Sequence, residues 1–445
     1  MNTAWIVLMA IPAAAMAADP AARPMLSLGL KRAVEIATSP EGNANIQLAA
    51  EALKQAQARI AESRAALLPD VESSVNYQNR TENLAAMGIK FNIPPSLGFN
   101  LPYFVGPFNT MDARFTASQT IFDFSSIRRF QAARTGAEAA RADADNAGEQ
   151  VAAQVARAYL AAIKADADVE TALSNVTLSQ ALLVQADHEK TAGTGTGIEI
   201  TRAKVQLAND RQHLLEAQNA RRSAHLRLLR AMGASLDTEL ELTDKLGYLP
   251  VDAVGLEKAR AQALAARPDF QAQRDRESNA RLSASATRLE RLPSVQAFGD
   301  YGSIGTGLES AMPTRTYGIS VRVPLFDGGK RDARREESAS QYRAEKVRTN
   351  DLKEQIELDV RLALDALRSA DDEVKVAQEG VGLSQNELAQ ARRRYDAGVA
   401  TSIEVTDAQT RLERALDNQT TALYSYNMAR IDLAQSMGKV RSTVQ

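Results

Sequence analysis

The sequence lacks cysteine entirely across its 445 residues. A disulfide framework, a thiolate nucleophile and a cysteine-based zinc site are therefore excluded. Aromatic residues are also scarce, at 5% of the chain, which is few for several large compact cores. Alanine is abundant instead, and this composition favours long helices.

An excess of charge of one sign is missing as well. The 53 basic and 55 acidic side chains leave a formal net charge of −2, so no strong attraction to nucleic acid is expected. Both signs are interleaved along the helical stretches, as on solvated coiled-coil faces. The three histidines lack metal-ligand spacing, and no nucleophile–base–acid pattern is found. We expect no metal, no cofactor and no enzymatic activity.

Long apolar runs are missing beyond the N-terminus. Residues 4–16 form one short apolar run that ends in Ala15-Met16-Ala17, the small-x-small pattern of a cleavage site. Residues 1–17 are therefore predicted to be a signal peptide, and the alternative is a frayed or buried N-terminal helix. No other stretch approaches the ~20 apolar residues of a transmembrane helix, so a membrane crossing would require a β-barrel.

What the sequence does contain is a regular apolar stripe. Apolar side chains recur every seven residues along one seam: Val360, Leu367, Val374, Val381, Leu388 and Tyr395. A similar spacing follows residue 407, so two antiparallel coiled-coil arms are predicted around a glycine-containing break at 395–407. Thr401 precedes Glu404 by three residues, which predicts a capping box at the start of the returning helix.

The same hairpin occurs earlier in the chain. The break recurs with Gly193 in the place of Gly398, and the capping pair recurs as Thr196 and Glu199. The upstream stripe recurs as well. These shared features indicate a tandem duplication of a unit of roughly 200 residues, far longer than the units of solenoid repeats.

The duplication predicts the organisation of the whole chain. The first repeat covers 18–234, with helices at 28–40 and 43–67, strands at about 70–78 and 111–122, and a hairpin at 123–233. A connector covers 235–253. The second repeat covers 254–438, with helices at 256–268 and 270–292, strands at about 294–301 and 315–324, and a hairpin at 327–437, before a tail at 439–445.

A two-residue alternation marks the predicted strands. Val71 and Val75 alternate with Glu72 and Ser74, as expected for a strand with one apolar and one wet face. Strands of about 9–11 residues suit a membrane barrel, yet even the smallest barrels have about eight strands. Several chains would therefore have to share one barrel. The alternative is a soluble four-stranded sheet with one face packed on a core.

The second strand of each repeat leads directly into a long helix, and Asp123 and Asp327 are the predicted N-caps. From residue 123 to residue 190 nothing breaks the helical pattern. At about 1.5 Å per residue this helix would extend roughly 100 Å. A helix of this length does not fit within a compact globular domain.

The two repeats, the Gly-containing tips and the strand-to-helix motif Pro-Leu-Phe-Asp-Gly-Gly at 324–329 together resemble the TolC-type outer-membrane efflux proteins. The resemblance covers essentially the mature chain. It implies a mixed α and β fold, in which long antiparallel coiled-coil hairpins form an oligomeric α-barrel and four strands per chain contribute to a shared transmembrane β-barrel. It also implies a homotrimer in the bacterial outer membrane that extends into the periplasm.

The function implied by the resemblance is that of an exit duct in a tripartite efflux or type I secretion system. Its partners would be a periplasmic adaptor protein, an inner-membrane pump of the RND or ABC type, and outer-membrane lipid. Two alternatives stay open, a periplasmic coiled-coil scaffold protein and an autonomous porin. The exported substrate and the type of pump depend on other chains.

The resemblance also implies functional positions. The pore or gate residues are Asp407, Glu404, Tyr395 and Glu199; the adaptor-docking residues are Gly193, Thr194, Gly398 and Val399; the strand-to-helix junction contains Pro324, Phe326, Asp327 and Gly328. Ala400 stands where the best-known member of the family carries an arginine, which puts an arginine-dependent closure there in doubt. Arg202 corresponds to Asp407 in the duplication, and these two charges are predicted to pair across the hairpins.

Each of these positions also has a plain structural interpretation. Glu199 and Glu404 are sufficiently explained as capping partners, and Asp407 as a solvated acid on a helix surface. Tyr395 completes the heptad stripe and could simply pack in the seam. The tip glycines are sufficiently explained by the turn itself.

Overall fold

The computed structural model describes residues 25–88, 104–193, 195–250 and 254–444. The predicted signal peptide, Thr194, part of the first strand-connecting loop and the end of the connector lie outside these ranges. Within them, none of the helices has the length and apolar character needed to cross a membrane.

Nine helices and six strands are found in the described ranges. The first repeat contains β1 (Met25–Leu28), α1 (Leu30–Thr38), α2 (Ala44–Ala65), β2 (Asp70–Asn83), β3 (Phe104–Phe122), α3 (Phe124–Thr191) and α4 (Gly197–Met232). After β4 (Glu239–Leu242), the second repeat contains α5 (Leu256–Ala266), α6 (Pro268–Leu289), β5 (Ser294–Gly305), β6 (Met312–Arg322), α7 (Lys330–Asp396) and α8 (Ser402–Ser436). The chain then continues into α9 (Val440–Val444).

Two long helical hairpins dominate the fold. Helix α3 packs along α4 and α7 packs along α8, while α3 and α8 join the two hairpins side by side. The heptad stripe faces inward, since Val360, Val374, Val381 and Leu388 are all buried. A stripe of this kind keeps one side of each helix against its partner over the whole length. The predicted fold of long coiled-coil hairpins combined with strands is therefore confirmed.

The four longer strands form one antiparallel sheet in the order β2-β3-β5-β6. One face of this sheet is apolar, and its side chains are bare: Val71 is 65% exposed, Ile319 68% and Tyr317 82%. Among the described elements, the sheet is in extensive contact only with its own strands. The alternative of a sheet packed on a soluble core is therefore wrong for this chain.

The register assigns the polar side chains to the opposite face. Val71 pairs with Ala117 and Glu72 with Thr116, so in β2 and β3 the apolar and polar residues largely separate between the two faces. The strands extend beyond the predicted ends, to Asn83 in β2 and back to Phe104 in β3. The strand pair of the first repeat is therefore longer than predicted.

A second, two-stranded sheet was not predicted. Strands β1 and β4 pair in parallel, with Met25 opposite Glu239 and Leu28 opposite Leu242. Leu28 was predicted to begin a helix, but that helix begins at Leu30. The buried hydroxyl of Tyr159 donates to the carbonyl oxygen of Leu28 at 2.9 Å, which fastens this small sheet to the middle of α3.

The two strand-to-helix junctions are built differently. Asp123 is the N-cap of α3, as predicted, and its carboxylate accepts hydrogen bonds from the backbone N–H groups of Ser125 and Ser126. Asp327 is not an N-cap, since α7 begins after Gly329, whose φ of 85° is left-handed. The Asp327 carboxylate instead accepts from the backbone N–H and the Nε of Arg331.

Candidate functional site at the hairpin tips

Both hairpin tips are compact turns that depend on glycine. Gly193 follows α3 with a φ of 78°, and Gly398 follows α7 with a φ of 70°. This left-handed conformation is strained for residues with a Cβ atom. In the second tip the N–H of Val399 donates to the carbonyl oxygen of Arg394 at 3.0 Å, a bond that ends the helix. Gly193, Gly398 and the exposed Val399 therefore form the outer surface of the tips.

The two tips start their returning helices in different ways. In the first tip, the Glu199 carboxylate accepts from the backbone N–H of Thr196 at 2.8 Å, as the predicted capping box requires. In the second tip Thr401 is the N-cap without a side-chain cap hydrogen bond. Glu404 instead forms an ion pair with Arg394, with 3.1 Å between Oε1 and Nε. The predicted capping role of Glu404 is therefore wrong.

Tyr395 connects the two hairpins. Its hydroxyl donates to a carboxylate oxygen of Glu189, at the end of α3. Its ring packs against an apolar cluster that includes Leu388 and Val405. The ring of Tyr395 therefore packs in the seam, while its hydroxyl makes a polar contact at the tip.

Burial and the Glu189 carboxylate both raise the pKa of Tyr395 well above its ordinary value. Both causes disfavour the phenolate, the first by removing water and the second by charge repulsion. The phenol therefore keeps its proton, and remains a hydrogen-bond donor, throughout the neutral range.

A groove of about 490 Å³ lies between the hairpins beside this contact. It brings together four predicted tip positions, Glu199, Arg202, Tyr395 and Asp407. Its walls are mostly apolar and include Leu182, Val205, Ile403 and Val405. Arg202 and Asp407 line the same groove, but no ion pair forms between these two described residues, so the predicted pairing is wrong. Asp407 is exposed.

The junction residues lie at the opposite end of α7 from the tip. Pro324 is half-buried, whereas Phe326 is 90% exposed and its neighbour Leu325 is 91% exposed. Gly328 is left-handed, with a φ of 68°. The structure therefore does not bring this motif together with the tip residues.

Sequence reasoning missed two tip residues, Glu189 and Arg394. The duplication aligns them with each other, and each lies in the last turn of a long helix. That alignment was a usable signal. The partners, Tyr395 for one and Glu404 for the other, follow only from the packing of the helices.

Polar side chains also meet farther along the seam between the hairpins. Asp210 of α4 is 4% exposed and accepts from the hydroxyl of Ser179 and from the amide of Gln206. On α8, Gln409 donates to Glu413 at 3.1 Å. Burial, together with the negative charge of Asp210, raises the pKa of Glu413. Among the described residues, no group of three or more His, Asp or Glu side chains could hold a metal ion.

Comparison with known proteins gives a consistent result. The family model described as "Outer membrane efflux protein" matches residues 37–234 and 259–439, well over half of the chain. TolC of Vibrio cholerae is 22% identical over 401 residues, which cover 85% of this chain and 84% of TolC.

Two further relatives come from Pseudomonas. The pyoverdine export outer membrane protein OpmQ of Pseudomonas putida is 24% identical over 420 residues, which cover 92% of this chain and 85% of OpmQ. The alkaline protease secretion protein AprF of Pseudomonas aeruginosa is 23% identical over 316 residues. That alignment covers 69% of this chain and 65% of AprF, so this chain spans slightly less than two thirds of that relative.

The fold is also that of solved outer-membrane channels. The crystal structure of the CmeC channel of Campylobacter jejuni superimposes with a TM-score of 0.79 at 17% identity, and the match covers 92% of this chain and 85% of CmeC. The resemblance to TolC-type proteins is therefore confirmed. The chain belongs to the outer membrane efflux protein family and is a protein of the outer membrane that extends into the periplasm.

Proposed function

We propose that this protein is the exit duct of a tripartite efflux or type I secretion system and conducts its substrates passively through the outer membrane. The observation that carries the proposal is the four-stranded sheet with a bare apolar face, attached to two hairpins whose first helices have 68 and 67 residues. At about 1.5 Å per residue, each of these helices extends roughly 100 Å. A sheet that faces lipid, attached to helices of this length, can connect the membrane to a partner protein about 100 Å away.

Three copies of the chain are proposed to assemble around one axis. Within the described sheet, β2 and β6 are the outer strands, and each pairs with a neighbour on one side only. An outer strand presents unpaired backbone groups that another chain can extend. Pairing β6 of one copy with β2 of the next repeats around a ring and closes a twelve-stranded barrel, which exceeds the minimum of about eight strands.

The tips are proposed to form the gate. The Tyr395–Glu189 hydrogen bond holds the second hairpin against the first, and the Arg394–Glu404 ion pair stiffens the second tip. Asp407 and Glu199 face the groove beside that contact. In a ring of three chains, these acids converge on the axis and favour cations. Opening requires the Tyr395–Glu189 contact to break as the hairpins separate.

The outer surface of the tips is proposed to receive a periplasmic adaptor. Gly193 and Gly398 have open space where a Cβ would project, and Val399 is 68% exposed. A backbone without side chains allows close approach by another helix. Thr194, the remaining predicted docking position, lies outside the described residues. The names of the relatives, one in protease secretion and one in pyoverdine export, support a role in export or secretion. The proposed energy source is an inner-membrane pump of the ABC or RND type.

Conductance in a planar lipid bilayer tests the proposal. Wild-type protein, purified from membranes in detergent, is expected to carry little current because the tips are closed. Tyr395→Phe removes the hydroxyl and is expected to raise the conductance several-fold, and Asp407→Ala is expected to raise it less. Tyr342→Phe changes the same atom on the same helix, far from the tip, and serves as the control.

Two outcomes would contradict the proposal. Large, steady wild-type currents that Tyr395→Phe leaves unchanged would identify an autonomous porin. Recovery of the protein from the soluble periplasmic fraction without detergent would identify a scaffold.

A further inference from the structure

The polar face of the membrane sheet carries an ion-pair cluster that the proposed gate does not use. Arg114 of β3 lies between Asp112 of the same strand and Asp300 of β5. Its Nε and one Nη bind the two oxygens of Asp112 at 2.9 and 2.6 Å, and the other Nη reaches Asp300 at 3.3 Å. One guanidinium thus joins the strand pair of the first repeat to that of the second.

The sheet is shaped around this arginine. Gly302 lies directly opposite Arg114 in the β3–β5 register. A Cβ atom at Gly302 would lie 2.4 Å from the Cβ of Arg114, closer than any real contact, so only glycine fits there. The three charged side chains are 28%, 18% and 17% exposed for Arg114, Asp112 and Asp300. Their positions are therefore fixed by the strands and by one another.

Around Arg114, the polar face of the sheet carries more acidic than basic side chains. Glu72 pairs with Thr116, and Thr116 pairs with Asp300, so Glu72 and Asp300 lie in one row across the sheet. Three carboxylates, of Glu72, Asp112 and Asp300, face one guanidinium. One guanidinium cannot neutralise three carboxylates, so this part of the face has a net charge of −2 per chain.

We propose that the Asp112–Arg114–Asp300 bridge and Glu72 form a charge filter within the membrane segment, which favours cationic over anionic solutes. The inference rests on the proposed function, because the polar face lines a conduit only when neighbouring copies close the sheet. Three copies would then give this band of the wall a net charge of −6. Because the wall has a low dielectric constant, the electric field of these charges is concentrated in the solution inside the barrel.

Arg114 lies between the two aspartates of this filter. It neutralises part of the charge and also holds Asp112 and Asp300 apart from each other, since it binds both. Replacing it by a neutral side chain is therefore expected to make the filter more negative. Replacing either acid is expected to have the opposite effect.

Reversal potentials under a KCl gradient test the inference. The measurement uses the full chain in planar bilayers with Tyr395→Phe as the background, so that the tips do not limit the current. Glu72→Gln and Asp300→Asn are each expected to lower the ratio of potassium to chloride permeability by about two- to threefold, as weakly screened wall charges would. Arg114→Gln is expected to raise that ratio. Arg315→Gln, which removes a charge from the opposite face, is the control and is expected to leave it unchanged.

The outcomes separate this inference from the proposed function. Normal conductance with an unchanged permeability ratio in both Glu72→Gln and Asp300→Asn would overturn the filter and leave the duct intact. No conductance in the background variant or in any variant built on it would overturn the duct itself. Glu72 is exposed and lies outside the ion-pair cluster, so its variant remains informative if the others fail to assemble.

Discussion

The two hairpin tips have matching sequences but different bonds, and a single charge explains the difference. Arg394 in the second tip attracts Glu404, so that the acid pairs within its own hairpin. The duplication places Glu189 at the corresponding position of the first tip, and two acids cannot form an ion pair with each other. Glu199 therefore caps its own helix, and Glu189 accepts a bond from Tyr395 of the other hairpin. Duplicated positions can thus keep their place and change their partner.

The same lesson applies to the far ends of the long helices. Asp123 caps α3 directly, whereas two left-handed glycines separate Asp327 from the start of α7. Burial alone would raise the pKa of Asp327, but hydrogen bonds and charge from Arg331 hold it below its ordinary value. Asp327 is therefore not the N-cap of α7, but its carboxylate still binds Arg331 in the first turn of that helix. Equivalent residues in the two repeats are therefore not interchangeable.

The largest expected effect comes from making the first tip like the second. Glu189→Arg removes the acceptor of the Tyr395 hydroxyl and places a cation near Glu199. A hydrogen bond to a charged group contributes about 1.5–3 kcal/mol, so the conductance of the duct is expected to rise about tenfold. Planar-bilayer recordings measure the change.

Arg394→Glu is the matched control for that substitution. It breaks an ion pair within one hairpin and leaves the bond between the hairpins in place, so a much smaller increase in conductance is expected. Equal increases in the two variants would show that the tips are equivalent after all.

A smaller effect is expected at the helix starts. Asp123→Ala removes an N-cap that accepts from two backbone N–H groups, a loss of about 1 kcal/mol. The thermal unfolding midpoint in detergent, followed by circular dichroism, is expected to fall by about 1 °C. Asp327→Ala is expected to lower it less. A larger fall for Asp327→Ala would reverse the comparison between the two junctions.

The smallest expected effect concerns the seam, where the duplication aligns Glu413 with Ala208. The pKa of Glu413 is raised in the folded protein, so folding disfavours its ionised form. Below the ordinary glutamate pKa of about 4.3, the side chain is protonated in both states and carries no penalty. The folded protein therefore loses stability as the pH rises from the ordinary glutamate pKa through the raised pKa of Glu413.

Glu413→Gln removes this penalty. Its unfolding midpoint should equal that of the wild type near pH 4 and exceed it by about 0.5 °C near pH 7.5. Glu216→Gln, on the exposed face of α4, is the control and is expected to show no such pH dependence. A difference that stays constant between the two pH values would show that Glu413 acts through packing alone.

The helical part of the fold was predictable because its signal is local. The stripe from Val360 to Leu388 repeats within one helix, and no distant contact is needed to recognise it. Strands β1 and β4 have only four residues each and pair across most of the first repeat. Their pairing is set by tertiary structure, so Leu28 was assigned to a helix that begins two residues later.

The strand ends illustrate a second limit. Proline normally argues against a strand, and Pro107 lies inside β3. The predicted strand therefore began only at about residue 111. The register of β2 and β3 continues through Arg80, shifts there, and resumes at Glu82, so the strands continue past the turn-forming residues.

At the tips, sequence located the turns but not the bonds. Gly193 and Gly398 mark the turns because few other residues adopt their conformation. The contact between Tyr395 and Glu189 joins helices whose separation in sequence is some two hundred residues, and only packing determines which acid is in reach. The roles of the tip residues in gating stay predictions that the recordings above can test.

The small β1–β4 sheet has a consequence for how the chain reaches this form. Its first strand finds its partner only after α3 and α4 have been made, since Leu30 and Asp244, which are hydrogen-bonded beside it, are 214 residues apart. Contacts of such long range form slowly because a large loop must close first. The β1–β4 sheet is therefore expected to form late in folding, after the connector that contains β4 has been synthesised.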